Sequence, residues 1–175
     1  MECNHKTTPR VEIHPAGESD LPALAELAGV IWRQHYPGII SQSQIEYMLG
    51  RMYALETLRT ELNEQQIRFV RLLVDGQFIG FASFGLISEF GVFKLHKCYL
   101  LQEFHGQGLG SRLLQHCETE VRRLGGRKLK LAVNKQNFKA ITAYRRHGFL
   151  VEDSVVTDFG AGFVMDDYIM AKELK

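Results

Sequence analysis

Cysteine is scarce in this chain. The three present, Cys3, Cys98 and Cys117, form no Cys-x-x-Cys pair and stand at no zinc-finger spacing from histidines. So odd and scattered a set argues against a disulfide framework and a structural zinc site. Cys98 falls in an apolar run and Cys117 on an apolar helical stripe, so both read as small core residues rather than nucleophiles. No stretch approaches the roughly 18 uninterrupted apolar residues of a membrane span, and the polar start Met1-Glu2-Cys3-Asn4-His5-Lys6 has no signal-peptide core. A soluble cytoplasmic protein with no metal and no membrane partner is the expectation. No repeat, low-complexity tract or Pro/Gly/Ser-rich linker divides the 175 residues, a length that suits one well-buried domain spanning 1–175.

A net charge of +1 means that no charge of one sign dominates the whole chain. The balance is nevertheless uneven, because residues 91–150 hold 12 Lys and Arg against 3 Asp and Glu, and the remainder holds 9 against 17. One part is set up for a polyanion, the other for a cation. Nucleic acid is not the expected polyanion, since the basic stretch carries neither a stacking platform nor a known reading helix.

Residues 10–14 read as a first strand, followed by a helix capped by Ser19 with Leu21, Leu24, Leu27, Ala28 and Ile31 on its apolar face. Pro37-Gly38 ends it, and Ser43-Gln44-Ile45-Glu46 fits a capping box opening a second helix, with a third over 55–62. From Ile67 the period becomes that of strands over 67–74, 77–86 and 91–101, and Asp75-Gly76 is a hairpin turn. Leu109, Leu113, Cys117, Val121 and Leu124 then share a helical face that Gly125-Gly126 closes. A strand over 129–133, a helix over 137–146 and strands over 151–159 and 163–174 complete the chain. The expected class is α/β (α+β): a mixed, mostly antiparallel sheet of about seven strands flanked by helices, with one parallel crossover.

The most informative run is His105-Gly106-Gln107-Gly108-Leu109-Gly110-Ser111, placed between a strand and a helix. Glycines at every second position let the backbone approach a ligand, and the helix that follows adds its positive end; together they form a device for holding phosphate. The nucleoside-triphosphate loop needs Lys-Ser/Thr after its last glycine, whereas Gly110 is followed by Ser111-Arg112. The dinucleotide fingerprint needs G-x-G-x-x-G and a ribose-binding acid about 20 residues on, whereas the next strand here runs into Asn134.

The run resembles the acetyl-CoA loop of the GNAT superfamily of N-acetyltransferases, R/Q-x-x-G-x-G/A, with His105 standing where Arg or Gln is usual. Leu131-Ala132-Val133 followed by Asn137 to Ile141 and Tyr144 to Phe149 is similar to the superfamily's second signature, L-x-V…N-x-x-A-I-x-x-Y-x-x-x-G-F. The segment from Gly162 to Met170 looks like a bacterial subgroup similar to polyamine (spermidine/spermine) acetyltransferases.

That resemblance implies a GNAT-type fold in which the fourth and fifth strands splay to admit the pantetheine arm of coenzyme A. Tyr99, Leu100 and Leu101 would pair with its amides. His105, Gly106, Gln107, Gly108, Leu109, Gly110 and Ser111 would cradle its pyrophosphate, with Arg112 adding charge and Lys139 and Arg145 as further contributors. Asn137 would contact the cofactor arm, cap its own helix, or do both. Tyr144 occupies the position of the general acid for the leaving thiolate. His96, four residues before Leu100 and so on one strand face with it, is the candidate base, with Glu89 or a chain of waters as alternatives. An acceptor pocket is expected near Trp32, Tyr36, Tyr47 and Phe84, with Asp166 and Asp167 within reach. The implied activity is acetyl-CoA-dependent N-acetylation of a small-molecule primary amine such as a polyamine. Acetylation of protein N-termini or lysines, and acyl-CoA binding without turnover, are the alternatives. Homodimers are common in the superfamily.

Overall fold

The computed structural model of the protein describes residues 8–175, so Cys3 lies outside the described residues. Among them, seven strands form one sheet in the order β1-β2-β3-β4-β5-β7-β6. The chain runs β1 (Val11–Ala16), α1 (Leu21–His35), α2 (Gln42–Met52), α3 (Leu55–Asn63), β2 (Arg68–Val74), β3 (Gln77–Ser88) and β4 (Val92–Leu100). It continues through α4 (Leu109–Arg123), β5 (Lys128–Asn134), α5 (Phe138–Arg146), β6 (Leu150–Gly160) and β7 (Phe163–Glu173). The mixed sheet is as expected: β1 to β4 form an antiparallel meander, β4 and β5 run parallel, and β5, β7 and β6 pair antiparallel. The single parallel pair is joined through α4, the crossover expected of a strand-helix-strand unit.

Each face of the sheet carries its own core. Leu113, Cys117 and Val121 of α4 are fully buried against Phe93, Leu95, Leu129 and Leu131 on one face. Leu24, Ala28, Ile31 and Trp32 of α1, with Ile45, Met48 and Leu58 of α2 and α3, cover Phe69 and Phe81 on the other. Burying a residue of this size stabilises by roughly 1.5–3 kcal/mol, so the apolar stripes read from the sequence decide which face each helix presents. A half-buried ion pair between Glu118 and Lys172, 2.8 Å apart, also ties α4 to β7.

Two helix starts differ from expectation. Ser19 does not cap α1; residues Glu18–Asp20 form a single turn of 3-10 helix whose Asp20 carboxylate accepts from the Gly17 amide, and α1 starts at Leu21 with Pro22 in its first turn. The cap of α2 is Ser41 rather than Ser43, its hydroxyl accepting from the Gln44 amide at 3.2 Å. Both shifts follow from a choice among neighbouring polar residues that tertiary packing settles.

A bulge in β4 has the larger consequence. Lys97 pairs with Ser83 and Leu95 with Phe84, which leaves His96 as the extra residue. Strand alternation slips there: Phe93 and Leu95 share a face with Cys98 and Leu100, while Tyr99 faces the α1–α3 layer. His96 therefore does not share a face with Leu100. A Cβ added to Gly85 would meet Ile67 at 3.2 Å and His96 Nε2 at 3.8 Å, which puts the ring on the Ile67 side, with the α1–α3 layer.

Candidate active site

β4 and β5 are hydrogen-bonded only from Val92–Leu95 to Lys128–Leu131. Beyond that point β4 stays with β3 and β5 with β7, so the two strands part. A cleft of about 720 Å³ opens on the α4–α5 side of this gap and a compartment of about 300 Å³ on the α1–α3 side. Cys98, Tyr99, Ala140 and Tyr144 border both.

The larger cleft is floored by the glycine turn. Gly106 and Gly108 have φ of +78° and +77°, a conformation costly for any residue with a Cβ. Gly108 is the N-cap of the 15-residue α4 and offers no side chain, so the first amides of the helix have no side-chain acceptor. A Cβ on Gly106, Gly108 or Gly110 would meet nothing within 4 Å, so the space over the turn is open. Lys139, Arg146 and three histidines, His35, His105 and His147, line the cleft, and no carboxylate does so among the described residues. Open backbone, a helix N-terminus and unopposed cationic side chains fit a polyphosphate.

His105 takes an architectural role at this turn. Its Nε2 lies 3.0 Å from the Leu100 carbonyl and its Nδ1 lies 3.1 Å from Lys139 Nζ. A neutral ring protonated at Nε2 satisfies both contacts, joining the end of β4 to α5 across the cleft. His147 Nε2 and Ser111 Oγ, 2.8 Å apart, make a second link between α5 and the first turn of α4.

Several expected contacts fall elsewhere. Arg112 extends from the opposite side of α4, its guanidinium donating to the Val11 carbonyl at 3.3 Å, and does not border the cleft. Gln107 donates to the Glu103 carbonyl, Leu109 is buried in the core, and Leu101, its amide donating to the Ile79 carbonyl, packs against both cores; none lines the cleft. Tyr99, Leu100, His105, Gly106, Gly108, Gly110 and Ser111 do. Arg145 does not line the cleft, whereas Arg146 does. Lys139, Thr142, Ala143, Arg146 and His147 recur at helical spacing after Asn137, a periodicity that was available to identify the face α5 turns to the cleft.

Asn137 is buried and fully engaged. Its Oδ1 accepts from the Ala140 amide as the α5 cap, and its Nδ2 donates to His35 Nε2 at 2.9 Å. Burial, with His105 and Lys139 nearby, lowers the His35 pKa and keeps its ring an acceptor. His35 is a site residue that no motif signalled.

Tyr144 lies at the junction of the two compartments, its ring 5.7 Å from that of Phe149. Burial, reinforced by Cys98, Tyr36 and Cys117, pushes its phenol well above the ordinary value, so it holds its proton throughout the physiological range. Burial also pushes the neighbouring Cys98 thiol up to about 12. The shared wall thus strongly disfavours a bare thiolate.

The smaller compartment is bordered by Trp32 of α1 and Tyr36 just after it, Met48 and Met52 of α2, Phe159 of β6 and the β4 run Lys94 to Lys97. Tyr47 and Phe84 do not border it: Tyr47 donates to the Phe159 carbonyl, and Phe84 is buried in the core on the opposite face. Glu89 is exposed in the β3–β4 hairpin, away from both compartments. His96 does border the smaller one, but burial and the charges of Lys94 and Lys97 lower its pKa to about 4. Accepting a proton there would place an imidazolium between two lysines, so the ring is a weak base. Lys97 is itself buried and paired with Glu61 at 2.7 Å. Asp167 borders the compartment, whereas Asp166 turns outward to pair with Lys135.

The model of the acetyltransferase (GNAT) family matches residues 27–149. A spermidine N(1)-acetyltransferase of Thermoplasma acidophilum is 31% identical over 153 residues, covering 85% of this chain and 94% of that protein. A spermine/spermidine N(1)-acetyltransferase of Bacillus subtilis is 26% identical over 142 residues, or 77% of this chain and 87% of its own. Among solved structures, a PaiA N-acetyltransferase from Thermoplasma acidophilum in complex with coenzyme A superposes with a TM-score of 0.80 at 30% identity, covering 94% of this chain and 99% of that one.

Proposed function

The chain belongs to the acetyltransferase (GNAT) family and is an acetyl-CoA-dependent N-acetyltransferase, and we propose that its acceptor is the primary amine of a small molecule, a polyamine first among the candidates. The donor supplies a thioester carbonyl whose C–S bond breaks as the new N–C bond forms. The amides at Gly106, Gly108, Gly110 and Ser111 would hold its pyrophosphate, with Lys139 and Arg146 adding charge. Tyr99, Leu100 and Cys98, along the open edge of β4, would flank the arm that reaches the gap.

Tyr144 gives its proton to the leaving sulfur. The observation that carries this reading is the position of Tyr144 beside Cys98, both bordering both compartments. A wall that holds the Cys98 thiol protonated to about pH 12 penalises any thiolate formed against it, and Tyr144 is the proton donor at hand.

The acceptor enters from the α1–α3 side. Trp32, Tyr36 and Tyr99 offer aromatic faces, the rings of Tyr36 and Tyr99 lying 4.4 and 6.0 Å from that of Trp32, a surface that attracts ammonium groups. Both curated relatives named above are polyamine acetyltransferases, which supports the same acceptor class. The test is thiol release from acetyl-CoA with polyamines, monoamines and peptides in parallel. Turnover fastest with polyamines supports the reading, while turnover with peptides alone would move the acceptor to protein.

A further inference from the structure

We propose that Asp167 is the residue that binds the acceptor's ammonium group and takes its first proton. The proposal rests on the transferase reading above and assigns the base within it. Met165 and Asp167 face inward on β7 while Asp166 faces out, as strand alternation dictates. Asp167 is only 9% exposed, and its Oδ1 is fully buried with no hydrogen-bond partner among the described residues. Burying an unpaired carboxylate oxygen costs stability, and a native fold usually satisfies such an atom. Here it belongs to a residue on the wall of the compartment that Tyr144 and Tyr36 also border.

The groups around it favour proton acceptance. Tyr36 just after α1, Glu61 from α3, Lys94, His96, Lys97 and Tyr99 from β4 and Tyr144 from α5 border the same compartment, Lys135 follows β5, and Asp166 precedes Asp167 on its own strand. Burial, then Asp166, raises the carboxyl to about 6, with Lys94 and Lys135 opposing. It is therefore ionised at neutral pH, able to attract an ammonium, and a stronger base than an ordinary carboxylate. His96, lowered to about 4 by burial and its flanking lysines, is a poorer acceptor in the same compartment.

The protons balance. One N–H proton of the ammonium passes to Asp167, leaving a neutral amine whose lone pair forms the N–C bond as the C–S bond breaks. Sulfur takes the Tyr144 proton, the second N–H proton restores Tyr144, and Asp167 releases its proton to solvent. The net products are an amide, a thiol and one proton.

The experiment compares the unmodified protein with Asp167→Asn and Asp167→Glu, using spermidine and a monoamine as acceptors across pH 5 to 9. For the unmodified protein, kcat/KM for amine should rise through an inflection near pH 6. Asp167→Asn should lose at least 100-fold in kcat/KM and lose that inflection, following only the amine's own ionisation. Its acetyl-CoA affinity, measured by calorimetry, should stay within twofold, and Asp167→Glu should recover part of the rate. Turnover by Asp167→Asn within threefold of the unmodified protein, or an unchanged inflection, would overturn the proposal alone. An unmodified protein that binds acetyl-CoA but acetylates no amine would overturn the transferase reading and this proposal with it.

Discussion

Lys139 Nζ lies 3.1 Å from Nδ1 of His105, so the histidine that stands in place of the usual Arg or Gln of the loop is held by α5 from across the cleft. Its other nitrogen faces the Leu100 carbonyl. His105 thus fixes the turn's geometry. His105→Ala removes both contacts, each worth about 1 kcal/mol. Acetyl-CoA binding should weaken about 5- to 20-fold by calorimetry, with kcat changing less than KM for the donor.

Gly108 combines a left-handed backbone with the N-cap position of α4. Gly108→Ala should cost ~1 kcal/mol through backbone strain alone, because open space surrounds the position. Gly108→Glu adds a carboxylate over the amides that would hold phosphate, and donor affinity should fall more than 100-fold in the same titration.

Tyr144→Phe retains the ring packed on Phe149 and removes the proton. Turnover should drop about 100-fold or more, with acetyl-CoA affinity unchanged within twofold. Equal turnover of the two proteins in a thiol-release assay would remove Tyr144 as the acid.

Asp167→Asn should stabilise the fold while impairing it as an enzyme. The carboxyl is raised from 3.8 to about 6, so the folded protein binds its proton more tightly than the unfolded chain does. The resulting destabilisation is fully present above about pH 6 and fades as pH falls from there toward 3.8. After discounting for solvent screening, the variant should gain ~1–2 kcal/mol at pH 8 in urea unfolding, and the gain should vanish near pH 4. His96, lowered to about 4, works in the opposite sense: its contribution is present above about 6.5 and is lost as pH falls toward 4. That loss is common to both proteins and cancels in their comparison.

Ser41→Ala should cost ~1 kcal/mol by removing the α2 cap, and Ser43→Ala less than half of that. Thermal unfolding of the two single variants separates them.

The succession of elements along the chain and the parallel crossover were legible because the apolar periods switch cleanly at Ile67, and because Asp75-Gly76 and Gly125-Gly126 punctuate them; the place of β7 between β5 and β6 was not. The cap of α2 was not, since Ser41 and Ser43 are chemically alike and only the folded backbone chooses. The donor-binding turn was legible in its glycines, whose backbone requirement is local. Arg112 was not, because its direction depends on which side of α4 faces β1. His96 illustrates the deeper limit: simple alternation puts it with Leu100, and a single bulge opposite Ser83 and Phe84 places it with the acceptor compartment. Asp167 was nameable from the sequence only as one of two adjacent carboxylates, until pairing with Lys135 set Asp166 apart.

The most direct measurement is a crystal structure of the protein with coenzyme A. The pyrophosphate should lie against the amides from Gly106 to Ser111, with the thiol in the gap between β4 and β5 beside Cys98 and Tyr144. A pyrophosphate bound away from that turn, or a thiol remote from Tyr144, would contradict both the placement of the donor and the identity of the acid.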